Sequence, residues 1–403
     1  MAATERDSGA PSPLAGSLPI ASFPGAALPA LLLLATLLLI ALPLAAATLP
    51  EDRADVLYHG YDGGGLEVTG PSVLVRKAYQ DKVSLWGNYY VDMISSASID
   101  VVTTASEYSE TRVEKSVGAD YLHDGTLMGL SWTNSEEDDY SADLVSFGIS
   151  QTFFGDLTTL GITYARGRDE VRRNGDPTFA ENTDRQNFRV DLSQILTRSL
   201  VVSVNYEGVT DDGFLNNPYR QVRYLDPDAA RGYSYEAELY PGTRTSNALA
   251  LRGLYYLPWR AALRGEFRRY SDTWELDAWN VETGYVHPLP RGFTLDLRYR
   301  YYDQTAAEFY SDLFDRAEAQ NFRARDKELA TFASHTVGAG VTYAFEAGFL
   351  PIVTRGEASL FLDWLQFDYE DFRDVRVSDA SPGTEPLYEF DAWVVRAFVS
   401  FWF

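Results

Sequence analysis

Apolar and polar residues alternate with a period of two in segment after segment from about residue 83 onward. That period belongs to strands that bury one face only. The pattern is cleanest at the end of the chain. There Trp393, Val395, Ala397, Val399, Phe401 and Phe403 share one face, and Arg396 and Ser400 lie on the other. In 292–304, Phe293, Leu295, Leu297, Tyr299 and Tyr301 oppose Asp296, Arg298 and Arg300. In 334–346, Val337, Ala339, Val341, Tyr343 and Phe345 oppose Thr336, Gly338, Gly340 and Thr342. In 199–209, Leu200, Val202, Val204 and Tyr206 oppose Ser203, Asn205 and Glu207. A soluble protein rarely carries so bare an aromatic terminal strand, because its edge would template aggregation. A closed barrel in lipid needs one, since the last strand pairs with the first and the apolar face meets acyl chains.

The alternating segments are 83–94, 112–123, 125–135, 140–153, 156–168, 184–196, 199–209, 219–225, 232–240, 243–257, 259–272, 276–288, 292–304, 334–346, 355–370 and 390–403. Together they predict an all-β transmembrane barrel of about sixteen antiparallel strands, with fourteen or eighteen as alternatives. The long connections are 95–111, 169–183, 210–218, 305–333 and 371–389. Outer loops of bacterial barrels are long and inner turns short. With 83–94 running outward, the long connections fall outside and both termini inside. This parity is expected to depend on 219–225 being a strand. The barrel is assigned to 82–403, and residues 48–81 to a periplasmic or plug-like segment, or an extra hairpin. Tyr255, Tyr256 and Trp259 flank the Leu257, Pro258 turn as an inner aromatic girdle would, and Trp274 and Trp279 flank the opposite end of the next hairpin. Aromatic core packing would need a second layer, and no spare helix or sheet is expected.

The N-terminal region has a different pattern. Residues 26–47 form an apolar run broken only by Pro29 and Pro43, ending in Ala45, Ala46 and Ala47. That small-residue site predicts a signal peptide over 1–47, cut after Ala47. The leader before the run is long, and its only charges are Glu5, Arg6 and Asp7. A start codon placed too far upstream explains its length. An uncleaved helix is the alternative, because the run is about long enough to span a bilayer.

Composition narrows the function classes. A mean hydropathy of −0.22 excludes a protein of many membrane helices but not a barrel, where alternate residues face lipid. The net charge of −24 argues against nucleic acid as a partner. The absence of cysteine excludes disulfide scaffolds, thiol catalysis and CxxCH haem attachment. The glycine cluster at 63–65 lacks the strand–helix context of a phosphate loop.

Charges on the inward faces are the candidate site. Charges on the lipid face would cost about 2–4 kcal/mol each at mid-bilayer. Arg252, Arg260, Arg264, Glu266, Arg268, Glu282, Asp296, Arg298, Arg300, Glu357, Asp363 and Arg396 are therefore expected to line the lumen. The arginines could form a track for anionic solutes. They could equally be mutually paired wall charges, since Glu266, Glu282 and Asp296 are interleaved with them. Of the four histidines, His335 is expected at the outer rim beside Ser334, with Asp312, Asp315 and Asp326 in the preceding loop, where a hydrolase would keep a site. No nucleophile motif accompanies it, so no enzyme is expected. The clusters at 136–139, 211–212 and 226–228 could take Ca²⁺ through carboxylates, and solvated loop tips explain them better. No metal or cofactor is expected.

The terminal Val399, Phe401 and Phe403 resemble the C-terminal signal read by the barrel assembly machinery. The stretch 58–77, with Tyr58, His59, Gly60, Tyr61, Asp62 and the three glycines, resembles a bacterial outer-membrane family classed as a domain of unknown function, DUF3570-like. The resemblance continues through 85–92 to Phe403. Such families carry no established activity or catalytic residues. Similar proteins are often encoded beside a small lipoprotein, a thioredoxin-like protein and a flavin transferase, so the resemblance implies a small lipoprotein or periplasmic thioredoxin-like partner. Three readings follow: an outer-membrane channel or conduit for a solute or for export; a non-transporting scaffold holding such a redox partner; and an outer-rim hydrolase. Outer-membrane lipid and lipopolysaccharide are the expected surroundings.

Overall fold

The computed structural model describes residues 48–96, 108–346, 352–377 and 379–403. The expected signal peptide over 1–47 lies outside them. The strands are β1 (Arg53–Gly63), β2 (Leu66–Tyr79), β3 (Val83–Ser96), β4 (Tyr108–His123), β5 (Thr126–Glu136), β6 (Tyr140–Phe153), β7 (Thr158–Arg173), β8 (Asp176–Thr197), β9 (Leu200–Gly213), β10 (Gln221–Leu225), β11 (Tyr233–Ala237), β12 (Thr243–Tyr256), β13 (Ala262–Asp272), β14 (Asp277–Pro288), β15 (Phe293–Gln304), β16 (Phe332–Phe345), β17 (Arg355–Arg373) and β18 (Leu387–Trp402). Each wall strand pairs antiparallel with its neighbour in sequence, β9 pairs with β12, and β18 closes on β1. The result is a closed sixteen-stranded barrel. Tight hairpins depend on residues that accept positive φ. At the β1–β2 turn these are Gly64 (φ 60°) and Gly65 (φ 79°), and at β4–β5 Asp124 (φ 45°) and Gly125 (φ 78°).

The start of β1 and the end of β18 lie together, with the Phe403 N–H donating to the Asp52 carbonyl at 3.3 Å. The turns at that end are short. The long connections, including the whole span from β9 to β12, lie at the other end. The first end therefore faces the periplasm and the second the exterior. Outward positions are apolar and exposed along the wall: Val56, Val73, Leu130, Phe147, Ile162, Val190, Leu251, Phe267, Leu297, Val341, Leu360 and Val395 among them. Water would not tolerate a belt of this size on a monomer, whereas lipid requires it.

Three expectations are corrected. Residues 48–81 take the extra-hairpin alternative and not the periplasmic or plug-like one: β1 and β2 are wall strands, and β1 carries the closing seam with β18. Segments 219–225 and 232–240 are not wall strands. Their ordered parts, β10 and β11, pair with each other and not with the wall, and β10 also bridges Phe314 of the β15–β16 connection. Because both leave the wall together, the parity survives without 219–225. A second layer also exists. Trp274 is no girdle residue: it is buried with Tyr240, Leu276, Phe309, Ala324 and Leu329 in a small core at the outer end. Tyr240, Trp274 and Phe309 pack there with ring centroids 5.1 to 5.6 Å apart. A second cluster of Ala330, Tyr369, Phe372 and Tyr388 continues it.

Candidate functional site: the lumen wall and its outer cap

Strand register decides which charges meet inside the barrel. On β12, β13, β14 and β15 it sets Arg252 opposite Glu266, Glu266 opposite Glu282, and Glu282 opposite Arg300. Arg252 pairs with Glu266 and also donates to Asn205 Oδ1 at 3.0 Å. Arg264 Nη2 donates to both Asp296 oxygens at 2.7 and 2.9 Å. Arg268 lies 3.2 Å from Glu207, which Arg189 also holds at 2.8 Å. Arg298 and Arg396 converge on Asp363, Arg298 Nε at 2.7 Å and Arg396 Nη2 at 2.9 Å. The Asp363 side chain is 2% exposed. Burying one carboxylate between two guanidiniums offsets its desolvation, which an isolated charge could not do.

Pairing thus holds for Arg252, Arg264, Arg268, Arg298 and Arg396. Arg300 instead lies over the Tyr302 ring at 5.4 Å, and its Nε has no hydrogen-bond partner. Glu282 and Glu357 sit on inward positions of β14 and β17 without an ion pair among the described residues. Arg260 departs from expectation. It is the φ 68° residue of the β12–β13 turn, with its N–H on the Leu257 carbonyl at 3.1 Å, and so lies at the inner rim rather than on the wall. Sequence reasoning missed Glu207 and Arg189, although both stand on inward positions of alternating segments.

The opposite arc is small and polar. Gly129 faces Gly148, Gly148 faces Thr163, and Gly161 faces Asp191 across β5 to β8. These residues, with Ser150, Ser193 and Ser203, border a cavity of about 320 Å³. On β1 to β4, His59 Nε2 lies 2.7 Å from Asp92 Oδ1 and stacks on Tyr90 at 4.9 Å, with Arg112 on the other Asp92 oxygen.

The outer end is covered by a cap of loops. Arg223 on β10 is fully buried. It donates to the Asp312 carbonyl at 2.9 Å, to the Asp312 carboxylate, and to Glu385 Oε1 at 2.5 Å. Arg325 reaches Asp312 Oδ1 at 3.0 Å. One guanidinium therefore ties together the β9–β12, β15–β16 and β17–β18 connections. Burial pushes the Glu385 carboxyl up, but the Arg223 hydrogen bonds and charge, together with backbone N–H donors including Gly383, outweigh it and hold the group below the usual range. Ser334 is buried on the inward face of β16, while His335 faces outward with Nδ1 2.9 Å from the Tyr299 hydroxyl. The expected Ser334–His335 pair is split across the wall, Asp312 serves the cap, and Asp326 binds Arg220. Of the acidic clusters, Glu137 and Asp139 come together with Glu110. Burial and the neighbouring Glu110 push the Glu137 carboxyl up.

A closed barrel with a lipid-facing apolar belt and a polar lumen is an outer-membrane β-barrel, and the bacterial outer membrane is where this chain resides. Residues 169–350 match the family described as "Protein of unknown function (DUF3570)", which bears out the resemblance noted in the sequence. The matched segment holds the β9–β12 and β15–β16 cap loops, not the 58–77 stretch. No curated protein matches the chain. Similar solved structures include a bacterial polysaccharide outer membrane secretin (8% identity, TM-score 0.49, covering 88% of this chain and 99% of that one). A Pseudomonas aeruginosa FadL homologue (8%, 0.40, 87% and 89%) and the CymD monoaromatic hydrocarbon channel (8%, 0.42, 88% and 89%) are others. These are likenesses of fold alone.

Proposed function

We propose that this barrel is a conduit for small polar solutes whose outer mouth is restricted by the folded cap. One observation carries the reading. The paired arginines of the wall keep 28% to 49% of their side-chain surface open to solvent, in a lumen that no apolar core of the described residues fills. A sixteen-strand circumference is wide enough for water when nothing packs inside it. The small arc of β5 to β7 leaves the passage against that side. Cap loops lie over the β9–β18 side, reach the rim of β5 to β8 where Tyr219 donates to Asp139 and accepts from the Asn174 N–H, and set what enters.

Single-channel recording in planar bilayers tests this. The wild-type protein should give small, flickering conductance. Replacing 221–237 by a short Gly-Ser linker should raise it severalfold, because the cap loses Arg223 while the wall keeps its strands. Absence of conductance in both proteins, each shown folded by heat-modifiable mobility, would refute the conduit and leave a barrel that serves as a sleeve for a partner.

A further inference from the structure

The small polar arc of the lumen holds a carboxylate that no cation balances. Register sets Ser150, Gly161, Asp191 and Asn205 in one inward row across β6 to β9. The next row toward the outer mouth holds Asp120, Gly129, Gly148 and Thr163 across β4 to β7. The three glycines leave a floor without side chains, between Asp120 at one edge and Asp191 at the other. This floor underlies the cavity of about 320 Å³. That volume lies at the lower end of ligand pockets, about 300–1,000 Å³, so it suits one small molecule.

No lysine or arginine borders the cavity. Asp120 is paired with Arg76. Asp191 makes no ion pair among the described residues. Its Oδ1 accepts from Asn205 Nδ2, and Asn205 Oδ1 accepts from Arg252 at 3.0 Å, which fixes the amide. Asp191 Oδ2 makes no hydrogen bond among the described residues. It lies over the floor, 3.8 Å from where a Cβ of residue 161 would stand. Bases on neighbouring inward positions are committed elsewhere, Arg189 to Glu207 at 2.8 Å and Arg252 to Glu266. Around the floor, the hydroxyls of Ser150, Thr163, Ser193 and Ser203 make no side-chain hydrogen bond among the described residues. A free carboxylate oxygen ringed by unengaged hydroxyls is complementary to an ammonium group on a hydroxylated body. One such carboxylate is too little for a divalent cation, which takes six or more oxygens, several of them charged.

We propose that this cavity is a subsite for a small hydroxylated amine of amino-sugar size. Its ammonium donates to Asp191 Oδ2, and its hydroxyls meet those of the surrounding serines and threonine. The subsite rests on the lumen being the water-filled passage proposed above, and it names a solute class that would pause there.

Saturation-transfer NMR of the detergent-purified full barrel in about 0.15 M KCl reads binding without requiring conduction. The probes are glucosamine, glucose, which has a hydroxyl in place of the ammonium, and methylamine, which carries the ammonium alone. Glucosamine should bind at least about tenfold more tightly than either. D191N keeps an acceptor for Asn205 and should remove the preference over glucose. G161V should weaken both sugars about tenfold or more by filling the floor. An added Cβ there meets nothing nearer than Asp191 Cβ at 3.6 Å, so G161V keeps the test open if D191N misfolds. E357Q removes an inward carboxylate without an ion pair almost across the barrel and should leave the preference as it is. Equal affinity for glucosamine and glucose would overturn the proposal. Equal affinity for glucosamine and methylamine would mean a bare cation contact and overturn it as well. An unchanged preference in D191N, undiminished binding by G161V, or an equal loss in E357Q, which would mean a diffuse lumen field, would each do the same. Conduction without a glucosamine preference would leave the passage and remove the subsite; a preference without conduction would do the reverse.

Discussion

Asp363 shows what a single position can require of its neighbours. It is almost wholly buried, and it is tolerable only because Arg298 and Arg396 reach it from strands on either side. Space for that meeting comes from Gly338, directly between them in register: an added Cβ there would run into Asp363 and Arg298. Alternation in the sequence put Gly338, Arg298, Asp363 and Arg396 on inward faces, but not the convergence, which depends on register across β15 to β18. Replacing Asp363 by alanine leaves two guanidiniums without their acceptor and should cost about 3–5 kcal/mol of stability. Gly338→Val should do comparable damage by steric exclusion. Both are read from the temperature at which the folded band disappears in heat-modifiable electrophoresis. Unchanged transitions in both variants would mean that the three-residue cluster contributes little to the wall.

Elements differ in how plainly the sequence announces them. Strands facing lipid on one side and water on the other, such as β15, β16 and β18, were legible because both environments select strongly at every residue. β1 and β2 were obscured by the glycines at 60 and 63–65, by Pro71 in mid-strand and by a run of small residues that weakens the alternation. β10 and β11 read as wall strands because a strand packed on a loop layer alternates in the same way as one packed on lipid. Nothing local separates the two, and only pairing with each other rather than with β9 or β12 does. The Arg223 network was invisible for the related reason that its members come from three distant connections. That network predicts a pH response. Glu385 is held below its unfolded value of about 4.3. Its contribution is therefore complete above that value and is lost as pH falls through the lower, folded one. The cap should open in acid while the wall persists. Limited proteolysis with an acid-active protease should cut within 374–386 increasingly below about pH 4, with strand signal in circular dichroism unchanged. Arg223→Gln should be cut in the same segment already at neutral pH by a protease active there. Equal resistance of both proteins at all pH values would detach the network from cap stability. Facing can be tested on β15: Leu297→Cys should resist a water-soluble maleimide in liposomes, while Arg298→Cys on the polar inner face should label if the lumen is open to water as proposed. Equal labelling would place the register one residue out.

At the scale of the whole barrel, the question is what field a solute meets in the lumen. A chain of net charge −24 suggests a cation-selective passage, and the inward arginines alone suggest an anion-selective one. Neither follows once the pairs are known. Arg252 with Glu266, Arg264 with Asp296, Arg268 with Glu207, and Arg298 with Asp363 cancel one another within a few ångströms. Acidic groups on the rim and loops are screened beyond about 8–10 Å at physiological salt. The wild-type pore should therefore discriminate weakly between K⁺ and Cl⁻. Reversing two members of the ladder removes the balance. Arg264→Glu with Arg268→Glu turns two ion pairs into two pairs of neighbouring carboxylates, the introduced groups standing beside Asp296 and Glu207 on a wall that faces the passage. Cation preference should then rise severalfold, since selectivity follows the charge at the constriction rather than the total. Reversal potentials under a salt gradient measure it directly. A wild-type potential strongly favouring anions would mean that the arginines act as an unpaired track. A potential that does not move in the double variant would mean that ions bypass β13 altogether, and the conducting path would have to be sought along the glycine- and serine-lined arc of β5 to β7.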